Sequence, residues 1–187
     1  MTKYIIREAR KEDAEKVLEY TKIVGGQTNN LTFGSEGLGL TIDEEKNILE
    51  RVSNSDKSVF LIVCLEDEII GLGNISAKTR SRMSHKAVLG ISIKKEFWGQ
   101  GIAQELMAKL IKFSNESGLE IIELTVRSDN ERAINLYKKF GFKKTGTIPA
   151  DMKIDGKYFD TYYMVLDLRE RKKYEERWLE KLGKKKH

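Results

Sequence analysis

Residues 89–103 constrain the fold of this 187-residue chain most strongly, because a strand pattern runs through two glycines into a helix pattern. The helix pattern consists of apolar residues spaced by four, four and three. These residues are Ile102, Leu106, Leu110 and Phe113. Glycines before a helix let backbone N–H groups surround an anion, and the helix N-terminus adds partial positive charge. The loop Gly99–Gln100–Gly101 could therefore hold a pyrophosphate, although a simple turn would have the same sequence.

The rest of the chain predicts one mixed α/β (α+β) domain. Strand patterns cover residues 4–7, 59–65, 69–75, 87–93, 121–126, 142–147 and 158–168. Helix patterns begin near residue 12, cover 41–52, 102–117 and 131–140, and recur at 169–182. The order runs from early helices through a strand meander to alternating strands and helices, which predicts a central sheet flanked by helices. A single proline and no low-complexity linker argue against two separate domains.

Residues 25–40 contain five glycines and two adjacent asparagines, a composition typical of loops. Phe33 and Leu38 are its possible apolar anchors. A functional flap and a plain connector are equally compatible with this composition. Thr41 and Glu44 have the spacing of a capping box at the start of the following helix.

The net positive charge of the chain comes entirely from its last 19 residues. The chain carries 34 basic and 29 acidic residues, a net charge of +5, and residues 169–187 account for all of it. A nucleic-acid-binding domain with a basic face is therefore not expected, although this extension could contact polyanions. Tyr174, Trp178 and Leu182 form one apolar stripe, which predicts a basic helix docked on its own domain or forming a dimer contact.

Cys64 is the only cysteine, which excludes an intramolecular disulfide framework and a cysteine-only zinc site. The sequence indicates no metal site. No apolar run approaches the ~20 residues of a membrane span, and the N-terminus lacks the apolar core of a signal peptide. We therefore expect a soluble cytoplasmic protein with no membrane partner, existing as a monomer or homodimer.

A second informative segment covers residues 130–142. Asn130 lies where a helix cap belongs, and Gly141 followed by Phe142 forms a helix stop. Ala133, Tyr137 and Phe140 share one helix face. An ordinary half-buried tyrosine is the structural alternative for Tyr137.

These two segments, in this order, resemble the GNAT superfamily of acetyl-CoA-dependent N-acetyltransferases. Members usually show Arg/Gln-x-x-Gly-x-Gly/Ala before a helix; Gly101 and Ala103 match, and Trp98 replaces the usual Arg/Gln. About thirty residues later they show Asn-x-x-Ala-x-x-x-Tyr and a Gly-Phe. Asn130, Ala133, Tyr137, Gly141 and Phe142 match this second pattern. The resemblance covers roughly residues 3–168, which implies an acetyltransferase domain at 1–168 and an appended extension at 169–187.

The resemblance implies where acetyl-CoA would bind. Strand 89–93 would splay from strand 121–126, and the pantetheine arm would pair with backbone in the resulting gap. The pyrophosphate would lie on the amides of the glycine loop. The implied cofactor-binding residues are Ile91, Ser92, Ile93, Trp98, Gly99, Gln100, Gly101, Ile102, Ala103, Asn130, Ala133 and Tyr137.

The resemblance also implies direct attack of an amine on the thioester. Tyr137 matches the position of the general acid, and a backbone N–H near Ile91 would polarise the carbonyl. The strand before the glycine loop carries no acidic residue that could be the base. Glu123, Glu36, Asp160, loop His85 and a water chain remain open for that role.

The resemblance implies that the acceptor is a primary amine of a small molecule or of a protein N-terminus. The loop 25–40 and the segment 150–162 would frame it, with Phe33, Glu36 and Asp160 as candidate contacts. Two alternatives from other classes remain. The chain could be a non-catalytic acyl-CoA-binding sensor, suggested by Trp98 and the missing strand acid, or a ribosome- or RNA-associated protein using its basic extension.

Overall fold

A computed structural model describes residues 4–169. Its strands are β1 Ile5–Glu8, β2 Val59–Leu65, β3 Glu68–Ala77, β4 Lys86–Ile93, β5 Ile121–Arg127, β6 Lys143–Ile154 and β7 Lys157–Asp167. Its α-helices are α1 Ala14–Gln27, α2 Ile42–Ser53, α3 Ile102–Glu116 and α4 Glu131–Lys139. The predicted mixed α/β fold is confirmed, and the element order follows the sequence patterns.

All seven strands of the described region form one sheet in the order β1-β2-β3-β4-β5-β7-β6. The pairing is antiparallel throughout except between β4 and β5, which run parallel. A parallel pair needs a crossover connection, and α3 provides it. The one parallel junction therefore lies in the middle of the sheet, between the strand that precedes the glycine loop and the strand that follows α3.

The helices cover the two faces of the sheet in pairs. On one face α1 and α2 build an apolar core with β2, in which Tyr20 and Leu49 pack against Ile62. On the other face α3 and α4 build the larger core with β3, β4 and β5. Gly73 of β3 lets α3 approach closely, since a Cβ there would lie 2.9 Å from a Leu110 methyl carbon. Both faces of the central strands are therefore buried.

Helix α1 extends through Gly25 and Gly26, which the sequence composition had placed in a loop. Packing explains the first of these glycines. A Cβ on Gly25 would lie 2.0 Å from the carbonyl oxygen of Gly34, so glycine is needed for the following loop to contact the helix. The loop proper covers residues 28–41 and lies against α1. The predicted capping box of α2 is present.

Strands β6 and β7 form a long hairpin that extends well beyond the predicted strand 142–147. The register shifts between Ile148 and Met152, where Ala150 adopts a positive φ of 51°. The amide of Ala150 donates to Asp160 at 2.9 Å, which stabilises this irregularity. The predicted acceptor-framing segment 150–162 is therefore regular hairpin for most of its length.

The described residues contain no helix long and apolar enough to cross a membrane. The predicted helix at 169–182, with its apolar stripe, falls outside the described residues apart from Arg169.

Candidate active site

The central feature of the site is a gap in the sheet between β4 and β5. The two strands pair at three positions, of which Val88 opposite Glu123 is the last. Directly after β4, Lys94 donates its backbone N–H to the carbonyl of Ile70 on β3 at 2.9 Å. The N–H and C=O groups of successive residues in a strand point to opposite sides. Those of Ile91, three residues earlier, therefore point away from β3 and into the gap. The gap thus presents strand backbone that β5 does not pair with.

A cleft of about 1340 Å³ passes through this gap and reaches both faces of the sheet. Its α3–α4 side is lined by the ends of those helices and the glycine loop, including Trp98, Gly99, Gly101, Ala103, Asn130, Arg132 and Tyr137. Its α1–α2 side is lined by the two first helices, the loop between them and strands β2 to β4, including Val24, Phe33, Leu40, Glu45, Phe60, Leu72 and Asn74.

The glycine loop opens the N-terminus of α3 toward the cleft. Gly99 and Gly101 have φ angles of 82° and 85°, a conformation that L side chains rarely adopt. No atom lies within 4 Å of a Cβ built on either residue, so the requirement for glycine is conformational. Gly101 is the N-cap of α3, and no side chain caps the helix. The first N–H groups of α3 are therefore available to an anion.

Trp98 replaces the expected Arg/Gln, and its side chain has two contacts. Its indole N–H donates to the carbonyl of Ile93 at 2.7 Å, which ties the glycine loop to the end of β4. The guanidinium of Arg132 lies 4.6 Å from the Trp98 ring centroid, a cation–π contact. Trp98 thereby holds a positive charge from α4 beside the open end of α3.

The second motif places Tyr137 in the cleft wall. Asn130 caps α4 by accepting from the amide of Ala133 at 3.3 Å. At the other end of α4, Gly141 has a φ of 94°, which lets Phe142 donate its N–H to the Tyr137 carbonyl at 3.1 Å. The rings of Tyr137 and Phe142 are 5.8 Å apart. Both helix ends thus fix the position of this tyrosine.

The hydroxyl group of Tyr137 suits proton donation. The side chain is only 7% exposed, and burial raises its pKa to about 12. It remains protonated at neutral pH as a result. No residue in 4–169 forms a hydrogen bond with this hydroxyl, so it is free to donate to a bound group.

Glu123 does not suit the role of base that the sequence suggested. It does not line the cleft, and Lys86 and Lys78 lie 2.7 and 3.1 Å from its two carboxylate oxygens. Tyr163 also donates a hydrogen bond to it. Burial alone would raise the pKa of Glu123, but the bonds from Lys86, Tyr163 and Lys78 outweigh it and lower the pKa to about 2. Such a carboxylate is a poor proton acceptor at neutral pH.

The other predicted residues divide between the cleft and the surface. Phe33 lines the cleft, whereas Glu36, Asp160, His85 and Gln100 do not. Glu36 is exposed and accepts from the amide of Gly34 at 2.7 Å, which lowers its pKa. The hairpin segment 150–162 contributes nothing to the cleft wall. The loop 28–40 does contribute, which favours a functional role for it over that of a plain connector.

Sequence reasoning missed Glu45, a cleft-lining residue of α2. It is 1% exposed, and its Oε1 atom has no hydrogen-bond partner among the described residues. Burial raises its pKa. The signal was present in the helix pattern, because Glu45 lies in the apolar stripe that continues through Leu49 and Val52. An acidic residue in such a stripe indicates a buried carboxylate.

Comparison with known proteins gives concordant results. The profile of the Acetyltransferase (GNAT) family matches residues 30–142. The L-amino acid N-acetyltransferase AaaT of Escherichia coli (strain K12) is 35% identical over 116 residues, which cover 62% of this chain and 72% of that protein. A GNAT-family acetyltransferase from Streptococcus pneumoniae superposes with a TM-score of 0.85 at 31% identity, covering 88% of this chain and 99% of that one.

A third comparison bears on the fold alone. A Salmonella typhimurium protein solved with its cofactor acetyl-CoA superposes with a TM-score of 0.78 at 18% identity, covering 89% of this chain and 94% of that one. The family profile covers more than half of the residues. It points to the same family as the two ordered motifs and the sheet that opens beside the uncapped helix α3. The chain belongs to the Acetyltransferase (GNAT) family, and it is an acetyl-CoA-dependent N-acetyltransferase.

Proposed function

We propose that this enzyme acetylates a primary amine of a small molecule, with acetyl-CoA on the α3–α4 side of the cleft and the acceptor on the α1–α2 side. The observation that carries the proposal is the β4–β5 gap, which joins the two sides at the unpaired backbone of Ile91. Two substrates approaching from opposite faces would meet there.

The α3–α4 side fits coenzyme A in three respects. The uncapped N-terminus of α3 and Arg132 offer positive charge for phosphate groups. The N–H and C=O of Ile91 and the N–H of Ile93 offer a strand edge for the amides of a pantetheine arm, with the Ile93 carbonyl already used by Trp98. Ala133, Ile102 and Ala103 leave room along the helix ends, where Asn130 would border the ligand. Acetyl-CoA supplies the activated thioester.

Two groups of the chain act on the reacting atoms in this proposal. The N–H of Ile91 donates to the thioester oxygen, where negative charge develops during attack. Tyr137 gives its hydroxyl proton to the departing sulfur, and its buried position keeps that proton in place until then. The C–N bond forms as the C–S bond breaks, and the proton that the amine loses passes through solvent to restore the one given by Tyr137. No covalent attachment to the enzyme is involved. Cys64 is consequently not needed.

The similarity to AaaT supports a small-molecule acceptor, and L-amino acids are the first group to test. The α1–α2 side is enclosed by the loop 28–40, where Phe33 forms part of the wall. The residues of the proposed machinery all lie between Phe33 and Tyr137. The proposed catalytic unit is therefore the domain 1–168, with residues 169–187 as an appendage outside it.

Calorimetry with acetyl-CoA and a thiol-release assay with amines test the proposal together. We expect acetyl-CoA to bind and coenzyme A to be released only when an amine is present. Binding without release across amino acids, alkylamines and N-terminal peptides would identify a sensor instead. Absence of acetyl-CoA binding would refute the proposal altogether.

A further inference from the structure

The side chain of Glu45 is a buried carboxylate to which the proposed chemistry assigns no role. It is 1% exposed and faces the cleft, and its Oε1 atom has no partner among residues 4–169. Burying an unpaired carboxylate is costly, so proteins usually pair or solvate such a group. In the same molecule, the buried carboxylate of Glu123 is paired in this way with two lysines and a tyrosine. The carboxylate of Glu45 therefore lacks a partner within residues 4–169 and could take one from a ligand.

The charge of Glu45 is isolated on its side of the cleft. Among the described residues that line the α1–α2 side, Glu45 is the one with a charged side chain. The positive groups of the cleft, Arg132 and Lys139, belong to α4 on the opposite side. A ligand group beside Glu45 therefore finds a site for a cation rather than for a carboxylate.

Much of the cleft lining on the side of Glu45 is apolar. Val24, Phe33, Leu38, Leu40, Phe60 and Leu72 line the cleft on this side. These side chains suit a hydrocarbon segment, since they offer contact area and no hydrogen-bonding groups. The ligand segment near Glu45 should accordingly carry methylene groups that end in a cationic group.

The separation of Glu45 from the reaction centre indicates the length of that segment. Helix α2 packs against β2, whereas the reacting backbone belongs to β4. The strands are in register across the sheet, with Ile62 opposite Leu72 and Leu72 opposite Ser92. Two strand spacings are roughly 10 Å, which is the offset across the sheet alone, and the height of α2 above the sheet adds to it, so roughly 10 Å is the minimum span between a reacting amine in the gap and a second group beside Glu45.

We propose that Glu45 binds a second, distal ammonium group of the acceptor, so that the preferred substrates are linear aliphatic diamines. This inference rests on the proposed function and narrows its substrate class. The near amine is acetylated in the β4–β5 gap, and the distal ammonium pairs with the carboxylate of Glu45. The chain between them lies along the apolar wall. A distal carboxylate would be repelled, and a distal methyl group would leave Glu45 unpaired.

A matched series of acceptors tests this assignment. For each chain length from four to ten carbons, kcat/KM is compared for the α,ω-diamine, the n-alkylamine and the ω-amino acid. We expect the diamine to exceed the alkylamine by about 10- to 100-fold, because a buried charged hydrogen bond is worth that much. The advantage should be absent at four carbons and grow in the longer members of the series, because the two nitrogens of a four-carbon diamine cannot span roughly 10 Å. The ω-amino acid should be the poorest of the three.

Glu45→Gln should bring the diamine-to-alkylamine ratio close to one while leaving the Kd of acetyl-CoA unchanged. Glu50→Gln is the control, because Glu50 lies on the same helix with an exposed side chain and an exposed ion pair to Lys11. It should keep the full ratio. An equal ratio in the wild type, or a ratio that survives Glu45→Gln, would overturn the assignment while alkylamine turnover still supports the acetyltransferase function.

A binding measurement without turnover completes the test. Diamines should raise the Tm of the wild-type protein in the presence of coenzyme A, and alkylamines should raise it less. Glu45→Gln should lose that difference, whereas Glu50→Gln should keep it. Should the protein acetylate only L-amino acids, and diamines leave its Tm unchanged, the diamine assignment is wrong although the enzyme is an acetyltransferase.

Discussion

Glu45 and Glu123 are both buried carboxylates, yet their surroundings give them opposite properties. Glu123 has three donors, which lower its pKa to about 2, whereas the pKa of Glu45 is raised because burial acts without opposition. Strand alternation in the sequence shows which face Glu123 lies on, but not that Lys78, Lys86 and Tyr163 lie beside it. Those partners lie directly after β3, at the start of β4 and in β7, and only the folded sheet brings them together.

Glu123→Gln should lower stability and leave turnover unchanged. The folded-state pKa of about 2 lies below the ordinary value of 4.5, so the contribution of Glu123 is complete above pH 4.5 and is lost as the pH falls toward 2. The variant should cost about 2 kcal/mol at pH 7, with the difference from wild type vanishing near pH 2. Tm measured against pH checks this. Glu19→Gln removes an exposed charge on α1 and should leave the dependence of Tm on pH unchanged. A tenfold loss of kcat in Glu123→Gln would restore Glu123 as a catalytic candidate.

Tyr137→Phe should lower kcat about 100-fold at saturating acetyl-CoA, since general acid catalysis contributes that order of magnitude. The Kd of acetyl-CoA should stay the same because the ring and its contact with Phe142 are retained. In the wild type, activity should persist well above pH 9, because the Tyr137 hydroxyl loses its proton only near its raised pKa of about 12. Tyr158→Phe, at an exposed site, serves as the control. Unchanged turnover in Tyr137→Phe would exclude the acid role.

At the scale of elements, the two ends of α3 offer a matched pair of glycines. Gly101 begins the helix beside the cleft and Gly118 follows its other end, with φ angles of 85° and 74°. Neither has an atom within 4 Å of a built Cβ, so alanine at either site should cost about 1–2 kcal/mol through backbone strain alone. Gly101→Ala should in addition raise the Kd of acetyl-CoA about tenfold, which calorimetry would detect. Equal affinities for both variants would show that the loop does not bind the cofactor.

Helix α1 offers a second pair in its last turn. Gly25→Ala should displace the loop 28–40, since the new Cβ would meet the Gly34 carbonyl oxygen at 2.0 Å. We expect the acceptor KM to rise while the acetyl-CoA Kd stays constant, because the loop lines only the α1–α2 side. Gly26→Ala meets a Ser35 carbon at an ordinary 3.5 Å and should stabilise the helix by about 0.5–1 kcal/mol. A KM unchanged by Gly25→Ala would mean that the loop does not contact the acceptor.

The elements themselves were largely predictable from sequence, and the exceptions have physical causes. Patterns of apolar spacing and end signals such as Gly118 and Gly141 are local, so they predicted the strands and helices around both motifs. The composition of residues 25–40 suggested a loop throughout, because glycine content cannot distinguish a close helix–loop contact from a turn. The glycine loop before α3 was predictable as well, because its sequence signals are also local. The acceptor side was not, since it joins residues from α1, α2 and three strands.

At the scale of the whole molecule, the charge distribution separates the catalytic domain from the extension. Residues 1–168 are neutral in sum, and the proposed machinery lies within them. A chain ending at Arg169 should therefore keep its turnover and acetyl-CoA affinity within about twofold, as expected for changes away from a site. Steady-state kinetics of the two chains measure this. A large loss would mean that residues 170–187 contribute to the site, and salt-dependent RNA binding found only in the full chain would indicate a separate role for them.

The gap between β4 and β5 also bears on the order of events in a catalytic cycle. A cleft that opens on both faces of the sheet gives each substrate its own entrance, so neither has to leave before the other arrives. Both substrates are then present together when the acetyl group moves, and double-reciprocal plots at several fixed acceptor concentrations should intersect rather than run parallel. The two products likewise have separate exits. The release of coenzyme A on one face therefore need not wait for the acetylated amine to leave by the other.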